Sequence, residues 1–234
     1  MWVSSRLGYR IRVIQPTVRY ANPMTRDGTA TRLRILDVAH DLVLDQGFAA
    51  TSLDQILAAS GVTKGAFFHH FASKDDLAAA LFDRYLEGER STFERTVRRA
   101  ERLTNDPLQQ VLVTIGLFEE MFGQLHQPHP GCLIAAFAYQ NELMTPRARD
   151  EGRDSFLMWR DALSAKLKAA EAAHPPQVPI DHDAVADMLN VIVEGGFIMA
   201  KVYGDAGILV RYLRVLRTHI ELVFGVAVAS EATA

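Results

Sequence analysis

Apolar side chains recur at helical spacing through most of the chain, and turn residues interrupt the pattern at intervals. Ile35, Ala39 and Val43 share one helical face near the start of this pattern. They predict a first helix over about residues 30–46, which ends at Gly47 because glycine adopts the left-handed conformation of a helix cap.

Two short helices are predicted next. One covers about residues 52–59, with Thr51 as its N-terminal cap and Asp54 completing a capping box. The Ser60-Gly61-Val62 sequence breaks this helix, and Thr63 opens another that runs through about Phe71. Two short helices around a tight glycine turn are typical of a helix-turn-helix.

The rest of the chain is predicted to be helical as well. Ser73 and Asp76 form a capping pair at the start of a long helix that extends to about Leu103. Five further helices are predicted at about residues 106–125, 132–143, 146–173, 183–203 and 206–226. No window shows sustained alternation of apolar and polar residues, so the predicted fold class is all-α.

Charge is unevenly distributed along the chain. The 25 basic and 28 acidic residues give a net charge of −3, so any affinity for nucleic acid must come from a local patch. The first 36 residues contain only one acidic residue, Asp27, and seven arginines: Arg6, Arg10, Arg12, Arg19, Arg26, Arg32 and Arg34. Residues 1–28 are therefore expected to form a basic, irregular arm, either lying along phosphates or a minor groove or preceding a true start at Met24.

Composition narrows the classes of protein further. Cys132 is the only cysteine, which excludes an intramolecular disulfide, and no apolar run reaches 18 residues. Arginines interrupt every apolar stretch near the N-terminus, so a secretory signal is not expected. These features favour a cytoplasmic protein. No glycine-rich phosphate loop or nucleophile elbow is present, and we expect no cofactor.

The helix-turn-helix segment has a local charge of one sign. Between Asp54 and Asp75 there is no acidic residue, while the potential partners of phosphate are Lys64, His69, His70 and Lys74. A surface that meets only water usually mixes both signs, so the pattern favours DNA binding.

This segment resembles the DNA-binding domain of the tetracycline-repressor (TetR) family. The resemblance rests on Ile35-Leu36-Asp37-Val38-Ala39, Gly47-Phe48, Thr51-Ser52-Leu53-Asp54-Gln55-Ile56, the run from Gly61 to Phe71, and Ser73-Lys74-Asp75-Asp76-Leu77. It implies a DNA-binding domain over residues 29–72, a regulatory and dimerisation domain over residues 73–226, and an irregular tail over residues 227–234. It also implies double-stranded operator DNA as the partner.

The resemblance makes the helix from Thr63 to Phe71 the recognition helix. The residues expected to contact DNA are Thr51, Thr63, Lys64, Gly65, Ala66, Phe68, His69, His70 and Lys74. A helix N-terminus offers free N–H groups to phosphate, and small residues such as Gly65 and Ala66 permit a close approach to the major groove. Phe68 stands where the family usually has a tyrosine, so it either packs on sugar and methyl groups or belongs to the core.

For the remainder of the chain the resemblance implies a six-helix body. Its last two helices, about residues 183–226, are expected to pair with a second copy and form a homodimer. A small-molecule effector is expected in a pocket lined by Phe118, Met121, Phe122, Phe137, Gln140, Asn141, Trp159 and Phe197, although aromatic residues at helical spacing also fill ordinary cores. Such a pocket favours an apolar or flat effector.

Cys132 lies at the predicted start of a helix, where the helix dipole lowers the pKa of a thiol. It is either a sensor of electrophiles or oxidants, with Lys201 stabilising its thiolate, or a buried packing residue. Metal binding by Cys132 with His126 and His129 is disfavoured, because no fourth ligand is evident.

The sequence therefore predicts a DNA-binding transcriptional regulator. The main hypothesis is a repressor that a small apolar or electrophilic effector releases from a palindromic operator. The alternatives are a cysteine-based redox sensor without a pocket ligand, and an enzyme that uses Cys132 as its nucleophile. The ligand could also activate DNA binding instead of releasing it, because the sequence does not give the sign of the coupling. For the repressor, we expect an effector to shift the fourth helix and so move the recognition helix and Lys74 out of half-site spacing.

Overall fold

The computed structural model describes residues 28–140 and 143–226, together with the backbone of residues 3–4 and 10–11. Its helices are α1 (Gly28–Gln46), α2 (Leu53–Ser60), α3 (Lys64–His70), α4 (Lys74–Leu103), α5 (Pro107–Gly123), α6 (Leu133–Ala138), α7 (Pro146–Ala173), α8 (His182–Tyr203) and α9 (Ile208–Val223). β1 (Val3–Ser4) pairs antiparallel with β2 (Arg10–Ile11). The all-α prediction is confirmed for residues 28–226 as far as they are described. Most of the expected arm and the whole expected tail lie outside the described residues.

Side-chain caps determine where several helices begin. Ser73 accepts a hydrogen bond from the N–H of Asp76 at the start of α4, and Asp106 accepts one from Gln109 before α5. Thr145 does the same for α7, which then continues through Pro146, a residue whose missing N–H costs nothing in a first turn. These three starts agree with the sequence pattern.

The capping of α2 differs from the prediction. Ser52, not Thr51, is the cap: its hydroxyl accepts from the N–H of Gln55, whose side chain accepts in turn from the N–H of Ser52. Thr51 is fully buried, and its hydroxyl donates to the carbonyl of Gly47 at 2.8 Å. Adjacent hydroxyl residues compete for one cap, and the tertiary packing of Thr51 leaves the cap to Ser52.

Helix α6 is shorter than predicted and ends at Ala138 instead of about residue 143. Phe137 is the last residue of this helix that is buried, whereas Tyr139 is 83% exposed. Without an apolar face to bury, a short helix gains too little from packing to continue.

The helices of the N-terminal unit and the body share a continuous core. α1 packs on α2, α3, α4 and α6, while α5 packs on α4, α7 and α9 in the body. α8 lies against both α7 and α9. Gly196 on α8 faces the side chain of Leu209, where an added Cβ would collide, so this glycine lets α8 and α9 approach closely.

None of the helices in the described ranges is long and apolar enough to cross a membrane.

Phe118 of α5 is fully buried, and we expect the stability of the body to depend on its ring. Replacing Phe118 with alanine is expected to lower the free energy of unfolding by about 3–5 kcal/mol, because the ring leaves a cavity that its neighbours cannot fill. Met121→Ala on the same helix is the control: Met121 is 37% exposed, so its loss should cost about 0.5 kcal/mol. Chemical denaturation measures both, and equal losses would contradict this account of the core.

Candidate functional site

The turn between α2 and α3 fixes the position of the predicted recognition helix. Gly61 adopts a left-handed conformation (φ 65°), and its N–H donates to the carbonyl of Leu57. Val62, Phe67 and Ile56 of α2 all bury their side chains in the same core. Both short helices also pack on α1, which fixes the position of α3 relative to α2.

The opposite face of α3 is open to solvent. Its exposed residues are Thr63, Lys64, Gly65, Phe68 and His69, while Ala66 and His70 are half-buried. Phe67 and Phe71 are buried, as the core interpretation of these two residues requires. Phe68 is 46% exposed and meets Phe67 only edge-on, so this phenyl ring belongs to the surface and not to the core.

The N-terminus of α3 forms part of this surface. The hydroxyl of Thr63 accepts a hydrogen bond from the N–H of Ala66 at 3.2 Å. The first turn of a helix leaves other N–H groups without partners inside the helix, and these attract anions. Nothing lies within 4 Å of a Cβ added to Gly65, so the backbone here is open to close approach.

Lys74 lies where α4 begins and contacts the α1–α2 connection. Its Nζ donates to the carbonyl of Phe48 at 2.7 Å and lies 4.2 Å from the centre of the Phe48 ring. Burial lowers the pKa of Lys74, and the neighbouring Asp75 opposes this effect. The ammonium thus ties α4 to the segment before α2.

One of the residues predicted to contact DNA, Thr51, lies in the interior of the domain. Thr51 is fully buried, so its predicted contact with DNA is wrong: its hydroxyl already serves Gly47 inside the domain. Arg32 is a residue that the site prediction missed. Its guanidinium lies 5.1 Å from the centre of the Phe71 ring, which places a cation of α1 beside the end of α3.

The body contains a small cavity of about 20 Å³, enough for a single water-sized group. Its lining comes from α4, α7, α8 and the start of α6, and consists of Glu89, Cys132, Ile134, Ser155, Phe156, Trp159, Asn190, Val193 and Glu194. Trp159 is the residue of the predicted pocket that lines it. We call this space the body cavity.

The other predicted pocket residues lie elsewhere. Phe118 stacks on Trp159 at 5.2 Å, behind the lining. Phe122 and Phe197 pack edge to face beside the loop that precedes α6. Met121 is 37% exposed, and Gln140 accepts a hydrogen bond from the N–H of Ala49 in the DNA-binding unit. Asn141 lies outside the described residues.

Phe137 borders a second space, between α4 and α7 next to the DNA-binding unit, together with Phe48, Phe82 and Leu143. It stacks on Phe82 at 4.9 Å. The predicted set therefore does not form one pocket, because helical spacing identifies buried residues without saying which of them border a cavity.

Cys132 is not the activated thiol that its place at the start of a helix suggested. It is 7% exposed, and burial raises its pKa to about 12, with the negative charge of Glu194 adding to the rise. The expectation of a lowered pKa is therefore wrong, because loss of hydration outweighs the dipole of a six-residue helix. The thiol packs beside Tyr85 and Glu194.

Lys201 does not stabilise a thiolate at Cys132. Its Nζ donates instead to the carbonyl of Leu44 at 3.3 Å, which joins α8 to α1. In the loop before α6, His129 stacks on Phe197 at 4.1 Å, and burial lowers its pKa to about 4. The described residues contain no group of three His, Cys, Asp or Glu side chains arranged to hold a metal ion.

Several direct contacts join the DNA-binding unit to the body. Arg84 of α4 bonds to Asp37 of α1, and Tyr85 stacks on His40 at 6.2 Å. The ring of Phe48 lies 6.4 Å from that of Phe137. Together with the bonds of Lys201 and Gln140, these contacts place α1 against α4, α6 and α8.

The sequence prediction missed Glu89, which lines the body cavity, and Tyr85, which packs beside Cys132 one turn earlier on α4. Burial and the nearby Glu194 raise the pKa of Glu89 to about 7. The available signal was spacing: Tyr85, Glu89 and Phe93 follow one another at intervals of four, so they share a helical face. Its position between two aromatic residues on one helical face indicates that Glu89 faces the body.

An exposed recognition helix on a small N-terminal unit, joined to a larger helical body, defines a helix-turn-helix transcriptional regulator. Residues 35–81 match the family model described as bacterial regulatory proteins, tetR family. Residues 108–216 match the tetracyclin repressor-like C-terminal domain. The chain belongs to the TetR family, whose members are regulators and not enzymes.

Individual relatives agree with this assignment. The transcriptional repressor DhaR of Mycobacterium sp. (strain GP1) is 22% identical over 80% of this chain and 91% of its own length. The regulator AcrR of Shigella flexneri is 41% identical over 63 residues, which cover 27% of this chain and only 29% of that protein.

Solved structures show the same fold. A TetR transcriptional regulator from Chloroflexus aurantiacus J-10-FL superposes with a TM-score of 0.68 at 26% identity, covering 84% of this chain and 96% of that one. The reduced form of NemR from E. coli gives a TM-score of 0.62 at 20% identity, over 81% and 96% of the two chains.

Burial of Cys132 leads to a test of its reactivity. The native thiol is expected to react with DTNB at about pH 8 at least a hundredfold more slowly than the same thiol in guanidinium, because a pKa of about 12 leaves almost no thiolate. Cys132→Ser supplies the blank. A native rate close to the unfolded rate would restore the sensor hypothesis.

Proposed function

We propose that the protein is a homodimeric repressor that binds a palindromic operator through α3 and is released when a small molecule binds in its body. The observation that carries the proposal is the outer face of α3, which presents Lys64, Phe68 and His69 to solvent in a segment without acidic residues. Because operator DNA is its partner, we also propose a cytoplasmic location.

On this proposal α3 lies in the major groove. Thr63 and Lys64 meet a phosphate at the helix N-terminus, and Gly65 and Ala66 allow the backbone to come close to the base edges. Phe68 packs on sugar and thymine methyl groups in place of a hydroxyl contact, which its exposed ring supports. His69, His70 and Arg32 supply further contacts at the end of the helix.

Lys74 has a different part in the proposal. Its ammonium has three donors, of which one goes to Phe48, so it can hold the α1–α2 connection and a phosphate at the same time. A shift of α4 then removes a phosphate contact and moves the neighbouring recognition helix in a single step.

A homodimer through residues 183–226 is supported by apolar side chains left on the surface. α8 exposes Met188, Val191, Ile198 and Val202, and α9 exposes Val215 and Leu222. These residues recur at intervals of three, four and seven, so each helix presents an apolar stripe. Stripes of this kind are typical of a surface that meets a partner.

The dimer also explains how a short recognition helix achieves specificity. Each α3 reaches only a few base pairs, whereas two copies related by two-fold symmetry bind half-sites one helical turn or more apart. To release the repressor from the operator, the effector then needs only to change the spacing between the two copies of α3.

The sign of regulation is also a proposal. Two of the relatives, DhaR and KstR2, are named repressors, whereas FasR of Mycolicibacterium smegmatis is named an activator. A cysteine sensor finds less support than a pocket effector, because Cys132 is a buried thiol and the body cavity lies beside it.

Binding to the DNA upstream of the protein's own gene tests the first part of the proposal. By fluorescence anisotropy at two salt concentrations, Lys64→Ala is expected to weaken binding about tenfold and to lower the salt slope by about two per dimer, because each protomer loses one phosphate contact. Lys168→Ala, an exposed lysine paired with Asp183 on the body, should leave both unchanged. Equal effects of the two changes would contradict the assigned interface.

The dimer is tested by placing a charge in the apolar stripe of α8. Ile198→Asp is expected to convert the protein to monomers in sedimentation velocity and to weaken operator binding by at least tenfold, because a buried unpaired carboxylate opposes association. Leu103→Asp, on an exposed leucine at the end of α4, is the matched control. A dimer that survives Ile198→Asp and Val202→Asp together would exclude this surface.

A further inference from the structure

Two carboxyl groups from different helices line the body cavity. Glu89 comes from α4 and Glu194 from α8, with the thiol of Cys132 beside them. No ion pair among the described residues involves either carboxyl group. The protein thus brings two half-buried acids together at one cavity, and the described residues supply no cation to pair with them.

In the absence of a ligand, ionising these two carboxyl groups is unfavourable in free energy. Burial raises the pKa of both groups, and the charge of Glu194 adds to the effect on Glu89. The other titratable groups that face them are Cys132 and Tyr85, whose pKa values are raised as well, so neither carries charge at neutral pH. From α7 the cavity receives Ser155, Phe156 and Trp159, which do not titrate.

The walls around the carboxyl groups are largely apolar. Ile134, Phe156, Trp159 and Val193 line the cavity with apolar surface, and Trp159 is held in place by stacking on Phe93 at 4.6 Å. An ion pair formed inside such walls is stronger than one in water. A charge from outside the protein would therefore be bound tightly here.

We infer that the body cavity binds the ammonium head group of an organic cation, and that the effector of the proposed function is a member of this chemical class. The inference rests on the proposed function only in its second clause. The cavity volume of about 20 Å³ suits one head group of that size. The organic part of the cation extends past Phe156 and Asn190, half-buried side chains of α7 and α8.

An organic cation fits these residues better than a metal ion. The described residues offer no group of three ligating side chains close enough for a metal, whereas an ammonium group needs only acceptors and a negative potential. Glu89, Glu194 and the side-chain oxygens of Ser155 and Asn190 are the acceptors that line the cavity.

Cation binding would also change the distance between α4 and α8. Tyr85, one turn before Glu89 on α4, stacks on His40 of α1 in the DNA-binding unit. Ionised carboxylates on α4 and α8 repel each other, and a cation between them draws the two helices together. The head group thus acts on the helix that leads directly to α3.

The sign of the pH dependence follows from the pKa of Glu89. Below about pH 7 this carboxyl holds a proton in the free protein, and the cation must displace that proton. Affinity for the cation is therefore expected to rise about tenfold between about pH 6 and pH 8, and one proton or less is released on binding. A neutral ligand of the same shape should show no such rise.

The experiment is calorimetric titration of the full chain with methylammonium, butylammonium and phenethylammonium, each against its neutral alcohol, at about pH 6 and pH 8 in two buffers of different ionisation enthalpy. At least one amine is expected to bind ten times or more tightly than its alcohol, with proton release. Glu89→Gln and Glu194→Gln should each remove at least tenfold of that affinity, and Glu89→Gln should flatten the pH dependence.

Glu87→Gln is the matched control, because Glu87 lies on the same helix with its side chain 70% exposed and paired with Arg90. Circular dichroism establishes that each variant is folded. Equal binding of amines and alcohols, no binding by any amine in the series, or equal loss in Glu87→Gln would each overturn the inference. Operator binding measured without any amine tests the proposed function separately, so the two can fail independently.

Discussion

The structure depends on one helix that belongs to two cores. α4 buries Leu77 and Leu81 against the DNA-binding unit and, farther along the same helix, Phe93 and Ala100 in the body. A unit as small as α1 to α3 buries too little apolar surface to be stable alone, so it completes its core with the start of α4. Any displacement of α4 in the body must therefore also displace the surface on which α3 rests.

The sequence predicted the helices well, because apolar spacing and capping residues report the same boundaries. Ser73, Asp106 and Thr145 each cap a helix where the pattern begins, and Gly61 ends α2 in the left-handed conformation. The same signals predicted the recognition helix. They did not predict that the ring of Phe68 is exposed, because helical spacing cannot decide whether a residue at the edge of a buried face is buried or exposed.

The site in the body was harder to predict, because its properties come from tertiary contacts. The sequence shows only the helix whose dipole lowers the pKa of the Cys132 thiol, whereas this pKa depends on burial by neighbouring elements and on Glu194, 62 positions away in the chain. Most of the predicted pocket residues were aromatic, and most of these aromatic residues fill the core. Glu89 was overlooked because a glutamate in a long charged helix usually faces water, and only its spacing from Tyr85 and Phe93 shows otherwise.

Half-buried acids without a cationic partner are a natural place for regulation in this fold. Raising the pKa of Glu89 from 4.5 to about 7 corresponds to about 3 kcal/mol of unfavourable free energy when the group is ionised. Allosteric coupling between two sites typically amounts to about 1–3 kcal/mol, so relieving this one charge is enough to change the relative stability of two arrangements of the body. Since α4 carries Glu89 in the body and packs on α1 at its other end, and α1 in turn packs on α3, the free energy released at the cavity reaches the recognition helix through α4 and α1.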